Sequence, residues 1–408
     1  MTDPGCKLFD RSRGIHEATF VERPNRFLVR CDLEGAVVEA HCPNPGRMLE
    51  ILLPGTPLLL QKRPDRADRR GAGKRPLEYS LVAARHQGIL VPLASARAND
   101  LAERIVVPLL FPDARSTRRE ITMGKSRLDF LIELDEQGKL EEQARRRASS
   151  LPGAGQLFLE VKACTLVAEG TAMFPDAPTL RGLKHLEELE SLAAQGRAAG
   201  ILFLLMNPRA RRLVPNLHTD PAFTSKLLSL REKIWMRAVS IRTAENGRST
   251  VASPDVPVDL TAAAAVLEDS GAYLLIIKVP GQTRFAAGSL GEILLMPGWY
   301  VYAGSGRKNL SARIARHQRR RKKLHWHIDH LLACVRTADI TGLPIRSRHD
   351  LECALAREVA TLAEEAVPGF GCSDCACRSH LLRFTRDPLG DRAFLDLLLH
   401  YRHRVALA

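Results

Sequence analysis

No stretch of this 408-residue chain is apolar for long enough to cross a bilayer. The first residues offer no signal-peptide core either, because Asp3, Lys7, Asp10 and Arg11 interrupt it. A membrane partner is therefore not expected. Paired cysteines are also missing. There are nine, an odd number, scattered except for Cys372, Cys375 and Cys377. That argues against a disulfide framework and for a reducing, cytoplasmic setting. No internal repeat is evident.

What the chain has in excess is positive charge, a net +14. Residues 269–408 hold 21 Lys/Arg against 13 Asp/Glu, whereas residues 1–268 hold 39 against 33. The excess is thus denser in the last third. A basic surface suits a polyanion, since each neutralised phosphate releases counterions. An Arg-favouring genome gives the same composition, so charge alone decides nothing. At this length two or three domains are expected.

Residues 14–95 read as short strands. Phe27–Leu33 and Val37–His41 flank a turn at Glu34-Gly35, and Thr56–Gln61, Leu77–Ala83 and Ile89–Leu93 follow. Five such strands suggest a small oligonucleotide-binding (OB) barrel. Lys62 to Lys74 reads as an exposed loop. From about Ala96 the order becomes helix, three strands, helix and strand, a mixed α/β core. Its strands fall near Ser116–Thr122, Arg127–Leu134, Leu157–Lys162 and Gly200–Met206, with a helix marked by Leu183, Leu186, Leu189 and Leu192. The charged stretch between Asp135 and Gln156 reads as a solvent loop. Asn-Gly, Ser-Pro and further prolines mark 244–268 as a linker. A third unit, 269–408, opens with strands at Tyr273–Val279 and Gly298–Gly304. A basic helix runs from Leu310 to about Arg320, and His327–Cys334 and Leu351–Glu365 read as further helices.

The sharpest chemical signal is Asp129 inside Ser126–Leu131, followed by Glu160-Val161-Lys162. On a strand, Glu160 and Lys162 project from one face. A neighbouring strand would bring Asp129 to them. Two carboxylates can hold Mg2+ or Mn2+, and a lysine beside them can orient water or neutralise developing charge. Glu120, on the preceding strand, is a candidate further ligand. The competing reading is sheet-edge polarity with an incidental Glu–Lys pair. His41-Cys42-Pro43-Asn44-Pro45-Gly46-Arg47 reads as a structural turn, with Arg47 as a candidate nucleic-acid contact. Arg181, Lys184 and His185 begin the leucine-marked helix, either meeting phosphates or forming its solvated face.

Several of these motifs resemble the sugar fermentation stimulation protein A family. They are Phe27–Arg30, His41–Met48, Ser126–Phe130, Glu160–Lys162 and Met173-Phe174-Pro175-Asp176-Ala177-Pro178-Thr179, continuing as Arg181–Leu186. The resemblance spans about 14–242. It implies an N-terminal OB-type β-barrel (14–95) and a central α/β PD-(D/E)XK nuclease-like domain (96–243). DNA binding and a regulatory link to sugar metabolism are also implied. Carried over, the nuclease positions fall on Asp129, Glu160 and Lys162, with the metal on the two carboxylates.

In the last third, Gly271-Ala272-Tyr273 and Tyr302-Ala303-Gly304 resemble the two signature triplets of the GIY-YIG nuclease superfamily. Trp326–Leu332 and Gly369–Cys377 resemble an uncharacterised GIY-YIG-like family. This implies a C-terminal α+β GIY-YIG-like domain (269–408). By order and spacing, the catalytic roles would fall on Tyr273, Tyr302 and Arg313, and the metal ligand on Glu352. A long insertion separates the two tyrosine motifs, and the superfamily's late Asn has no counterpart. A free phenol, with a pKa near ~10, needs help to act as a base. The run Arg313, Arg316, Arg319, Arg320, Arg321, Lys322 and Lys323 beside Trp326 reads as a phosphate-contacting face, Arg316, Arg320 and Lys322 foremost. Cys375, Cys377 and His380, with Cys353 and Cys372 upstream, could ligate zinc, although CxC is shorter than the usual CxxC. Structural thiols fit as well.

The expected function is DNA binding with metal-dependent phosphodiester hydrolysis. The alternative is a non-catalytic DNA-binding regulator that retains nuclease folds, and RNA is a further candidate polymer. Oligomeric state is not legible.

Overall fold

Leu28–Leu33 and Ala36–His41 form a hairpin whose last pair, Leu33↔Ala36, closes on Glu34 (φ 54°) and Gly35 (φ 84°). Two successive positive φ angles are what a two-residue type I′ turn requires, and Gly35 supplies the second without strain. The long strand Ile15–Asn25 pairs with Leu28–Leu33 on one side and Pro57–Lys62 on the other. Tyr79–His86 pairs with Pro57–Lys62 and, through Ala40↔Tyr79 and His41↔Ser80, returns to Ala36–His41. That closes a five-strand barrel, to which Ile89–Pro92 adds outside the ring. The barrel is as expected except in one member: Ile15–Asn25 belongs to the ring, and the strand expected at Ile89–Leu93 lies outside it, as Ile89–Pro92. Only Ala18 and Phe20 of the eleven-residue strand are buried, so it carries too little apolar alternation to be read.

The computed structural model describes residues 5–10, 14–63, 77–123, 126–134, 155–336 and 339–404. The two surface loops expected at 62–74 and 135–156 lie almost wholly outside the described residues. The chain divides into two units, Met1–Ala264 and Ala265–Ala408.

The rest of the first unit is built on a seven-stranded sheet. Its order is Cys6–Lys7, Arg248–Val256, Trp235–Thr243, Ala198–Leu205, Gln156–Cys164, Ser126–Leu134 and Ala114–Met123. The central three strands run parallel and the flanking ones antiparallel. Helix Leu180–Ala194 makes the crossover between Gln156–Cys164 and Ala198–Leu205. Thr179 caps it by accepting from the Gly182 amide at 2.9 Å. Its buried stripe is Gly182, His185, Leu186, Leu189 and Leu192. Both faces of the sheet are apolar. Leu157, Leu159, Val161, Phe130 and Ile132 pack into one cluster, and Phe158, Leu131, Ile201 and Phe203 into another with the crossover helix.

The linker expected at 244–268 is largely absent. Asn246-Gly247 is a hairpin turn, closed by the Ala244 amide donating to Arg248 O, and it leads into the strand Arg248–Val256. Thr261–Ala264 is a short helix. The prolines misled because Pro254 lies beyond the two residues, Arg248 and Ser249, that pair with Cys6–Lys7. Its missing N–H costs the ladder nothing there.

In the second unit, five antiparallel strands are ordered Ile340–Arg346, Gly271–Val279, Gly298–Gly306, Leu381–Phe384 and Glu365–Ala366. The insertion between the tyrosine motifs is a small hairpin, Thr283–Ala286 with Glu292–Leu295. Helices are Leu310–His317, His327–Cys334, Glu352–Ala360 and Arg392–His403. The basic helix ends at His317, so Arg319 to Lys323 lie beyond it.

Candidate metal and nucleic-acid sites

Register places the first cluster. Ser126–Leu134 and Gln156–Cys164 are antiparallel, and the pair Leu159↔Phe130 lies next to Asp129 and Glu160. There the Val161 amide donates to Asp129 Oδ2 at 2.8 Å, while Asn99 Nδ2 donates to Oδ1 at 2.8 Å. Each oxygen keeps a lone pair. On the next strand Lys162 Nζ donates to Glu160 Oε1 at 2.5 Å, and His185 Nδ1 bonds the same oxygen. Arg181 Nε donates to His185 Nε2 at 3.4 Å, which leaves the imidazole hydrogen on Nδ1, toward Glu160. Glu160 is only 2% exposed, in the middle of a sheet covered on both faces. Its second oxygen, Oε2, is buried with no hydrogen-bond partner among the described residues.

The two carboxyls are pushed in opposite directions. Burial, then the nearby Glu160 charge, raise Asp129 above the usual aspartate value, against the Val161 amide, Asn99 and Lys162. Burial opposes ionisation of Glu160 too, but the His185 hydrogen bond, with the charge and hydrogen bond of Lys162, outweighs it and holds the carboxyl low. A carboxylate this buried is costly unless paired and hydrogen-bonded, so edge polarity does not describe it.

Glu120 pairs with Arg127 at 3.3 Å and is more than half exposed; it does not join the cluster. Arg181 and Lys184 are exposed, and Arg181 reaches the cluster through His185. His185, expected as a phosphate contact or part of a solvated face, is instead buried beside Glu160. Its position four residues before Leu189, on the buried stripe, was the available signal. Asn99 carried none. The 41–48 segment is a turn: Arg23 donates to the carbonyls of Gly46, Arg47, Arg26 and Asn44, while Asn44 Oδ1 accepts the Gly46 amide. Arg47 is exposed.

In the second unit, Tyr273, Tyr302, Arg313 and Glu352 line one cavity of about 370 Å³ together with Ser305, Trp326 and Asp374. Tyr273 stands across the ladder from Gly304, and a Cβ at Gly304 would come within 2.5 Å of the phenol ring. The glycine of the second triplet is therefore the seat of the tyrosine of the first. The Tyr273 hydroxyl bonds His317 Nε2 at 2.7 Å. Burial pushes both phenols well above the ordinary tyrosine value. Burial, with Lys322, drives His317 down to about 4 despite Asp329. Arg313 stacks on Trp326 with its guanidinium 4.5 Å from the ring centroid and donates to Ser305 O at 2.7 Å. Glu352 bonds the Ser305 hydroxyl and His380 Nδ1, the latter at 3.1 Å. Its burial is outweighed by these partners, which hold it below the usual glutamate value.

The basic run divides. Arg316 grips Asp329 through two bonds of 2.9 Å and stacks on Trp326. Lys322, expected at the surface, has a side chain 5% exposed and donates to His317 O at 2.8 Å beside Asp329. A fully buried carboxylate at Asp329 drew both cations inward. Arg319, Arg320 and Arg321 remain exposed. Cys353, Cys375, Cys377 and His380 form a group able to hold a metal ion, their ligand atoms all within 4.8 Å of one another. Cys372 is not part of it.

Among the described residues, no helix is long and apolar enough to cross a membrane. Residues 21–93 match the family described as the SfsA N-terminal OB domain, and residues 96–247 the sugar fermentation stimulation protein RE domain. Residues 272–398 match the domain of unknown function DUF123. A sugar fermentation stimulation protein homolog of Methanothermobacter thermautotrophicus is 35% identical over 212 residues, 51% of this chain and 78% of that protein. One from Moorella thermoacetica is 37% identical over 214 residues, 52% of this chain and 82% of that protein. The structure of Pyrococcus furiosus SfsA in complex with Ca2+ superposes with a TM-score of 0.50 at 25% identity, covering 62% of this chain and 99% of that one.

Proposed function

The chain belongs to the sugar fermentation stimulation protein family, with a GIY-YIG-like domain fused behind it, and we propose that it binds DNA and hydrolyses phosphodiester bonds with a divalent cation held by Asp129 and Glu160. The observation that carries this reading is Glu160. An ionised carboxylate sits in the interior of the sheet, clamped by Lys162 and His185, with Oε2 left over. A cation shared with Asp129 would supply the partner that oxygen lacks among the described residues. Two carboxylates are a hard donor set, suited to Mg2+ or Mn2+. The Pyrococcus furiosus relative was solved with Ca2+, a cation of the same kind.

Bound there, the cation would neutralise charge on a phosphate and lower the pKa of its water. The chain's own groups do the rest. Asn99 and the Val161 amide fix Asp129, His185 orients Glu160, and Lys162 holds a positive charge beside the reacting phosphate. Exposed Arg47, Arg181 and Lys184 give sequence-independent phosphate contacts, and the barrel a surface for the strand.

For the second unit we propose phosphate binding through Arg313 in the cavity and Arg320 outside it. Phenols raised by burial stay protonated at neutral pH, so Tyr273 and Tyr302 act there as hydrogen-bond donors. Purified chain incubated with plasmid, single-stranded DNA and RNA, with Mg2+ or EDTA, tests the reading. Cleavage lost in both EDTA and Asp129→Asn supports it. Salt-sensitive binding with no cleavage of any polymer makes the chain a binding protein. Cutting that survives Asp129→Asn but not Arg313→Ala moves the chemistry to the second unit.

A further inference from the structure

The segment 368–380 forms no helix or strand, yet it walls the second unit's cavity through Gly371, Ser373 and Asp374. A loop of that length needs something to hold it. Three thiols and an imidazole meet at its far end. Cys375 and Cys377 come from the loop itself, and His380 from the residue before the strand Leu381–Phe384. Cys353 comes from the first turn of helix Glu352–Ala360. We propose that Cys353, Cys375, Cys377 and His380 bind one Zn2+ tetrahedrally, pinning this loop to the helix and, through His380, fixing Glu352 in the cavity.

Three observations carry the assignment. The donor set is soft, three sulfurs and one nitrogen, the composition of structural zinc sites. Tetrahedral Zn–S bonds of about 2.3 Å put sulfurs about 3.8 Å apart. The four ligand atoms lie within 4.8 Å of one another, so a small inward movement completes the site. The histidine is already oriented as a zinc ligand would be. Its Nε2 faces the Cys375 sulfur at 3.5 Å, and its Nδ1 faces Glu352 Oε1 at 3.1 Å. A carboxylate on the far nitrogen is the usual outer partner of a zinc-bound imidazole. Adjacent residues of one helix turn thus serve two purposes: Cys353 ligates, and Glu352 braces the ligand while lining the cavity. The proposal stands whether or not the first unit cuts nucleic acid.

The test uses the full chain purified without chelator. Elemental analysis is expected to give one zinc per chain, and Cys375→Ser and Cys377→Ser to lose it, while exposed Cys334→Ser keeps it. Exchange with Co2+ is expected to give intense sulfur-to-cobalt charge-transfer bands and the visible spectrum of a tetrahedral ion. Glu352→Gln should keep the stoichiometry and weaken zinc about 10–100-fold. Serine variants that retain full zinc, or a chain that takes up no zinc when reconstituted with it, would overturn the site. If the serine variants do not fold, the cobalt spectrum of the unmodified chain decides: an octahedral spectrum without charge-transfer bands overturns the proposal.

Discussion

The carboxylate of Asp129 extends the ladder of its neighbouring strand, accepting the Val161 amide at 2.8 Å just past the backbone pair Leu159↔Phe130. The same side chain therefore has a structural duty and a proposed chemical one, and the two can be separated. Asp129→Ala should abolish cation-dependent cleavage and also lower stability by about 1–3 kcal/mol, because the Val161 amide loses its acceptor. Asp129→Asn keeps an oxygen for that amide, so stability should largely return while cleavage does not. Urea unfolding beside a plasmid assay checks the split; equal stability losses in both variants would contradict it.

The opposed shifts of Asp129 and Glu160 give a pH signature. Glu160 is held low, so its stabilisation is present above its unfolded value, about 4.3, and is lost as pH falls through the lower folded value. Asp129 is raised, so its contribution has the other sign: present in acid, lost as pH rises through its folded value. Carboxyl NMR titration should find Asp129 above about 3.9 and Glu160 below about 4.3. Adding Mg2+ should pull Asp129 down, because a cation favours the ionised form. Ordinary values for both, unmoved by Mg2+, would count against a shared site.

Lys322 and Arg320 are two residues apart in one basic run, but their environments make them opposites. Lys322→Ala should cost about 1–3 kcal/mol of second-unit stability by removing a buried charged donor near Asp329. Arg320→Ala should change stability by less than about 0.5 kcal/mol. It should instead weaken DNA binding and reduce the salt dependence of log K by about one phosphate contact. Denaturant melts and binding isotherms at several salt concentrations distinguish the two.

His317 should make the second unit acid-sensitive. Its folded value, driven to about 4 from an ordinary 6.5, means the unfolded chain takes a proton that the folded one refuses. Stability is then full above about 6.5 and falls as pH drops toward about 4, by about 3 kcal/mol if nothing compensates. Replacing His317 with Gln, which can still bond Tyr273, should flatten that window in unfolding curves taken between pH 7 and 4.5.

Much of this was legible in the sequence where local chemistry decides structure. Glu34-Gly35 marked a plausible hairpin turn, and the leucines at 183, 186, 189 and 192, at i+3 spacing, traced their helix. Glu160 and Lys162 could be put on one face because strand periodicity is a stiff rule, with Asp129 expected on a neighbouring strand. What stayed hidden depended on partners far away in sequence. Ile15–Asn25 is a strand because two neighbours pair with it, not because it alternates. Asn99 meets Asp129 across thirty residues. Cys353 and Cys372 both stand upstream of Cys375 as candidate ligands, and only the fold brings Cys353 into the group and leaves Cys372 out. Lys322 read as surface because nothing local announces that Asp329 is buried.

The proposed hydrolysis depends on a divalent cation shared by Asp129 and Glu160. Calorimetric titration of Mn2+ into the full chain tests it without knowledge of the substrate. One saturable site is expected, lost in Asp129→Asn and in Glu160→Gln and kept in Glu120→Gln, whose carboxylate is paired with Arg127. Undiminished Mn2+ binding in the Asp129 and Glu160 variants would contradict it.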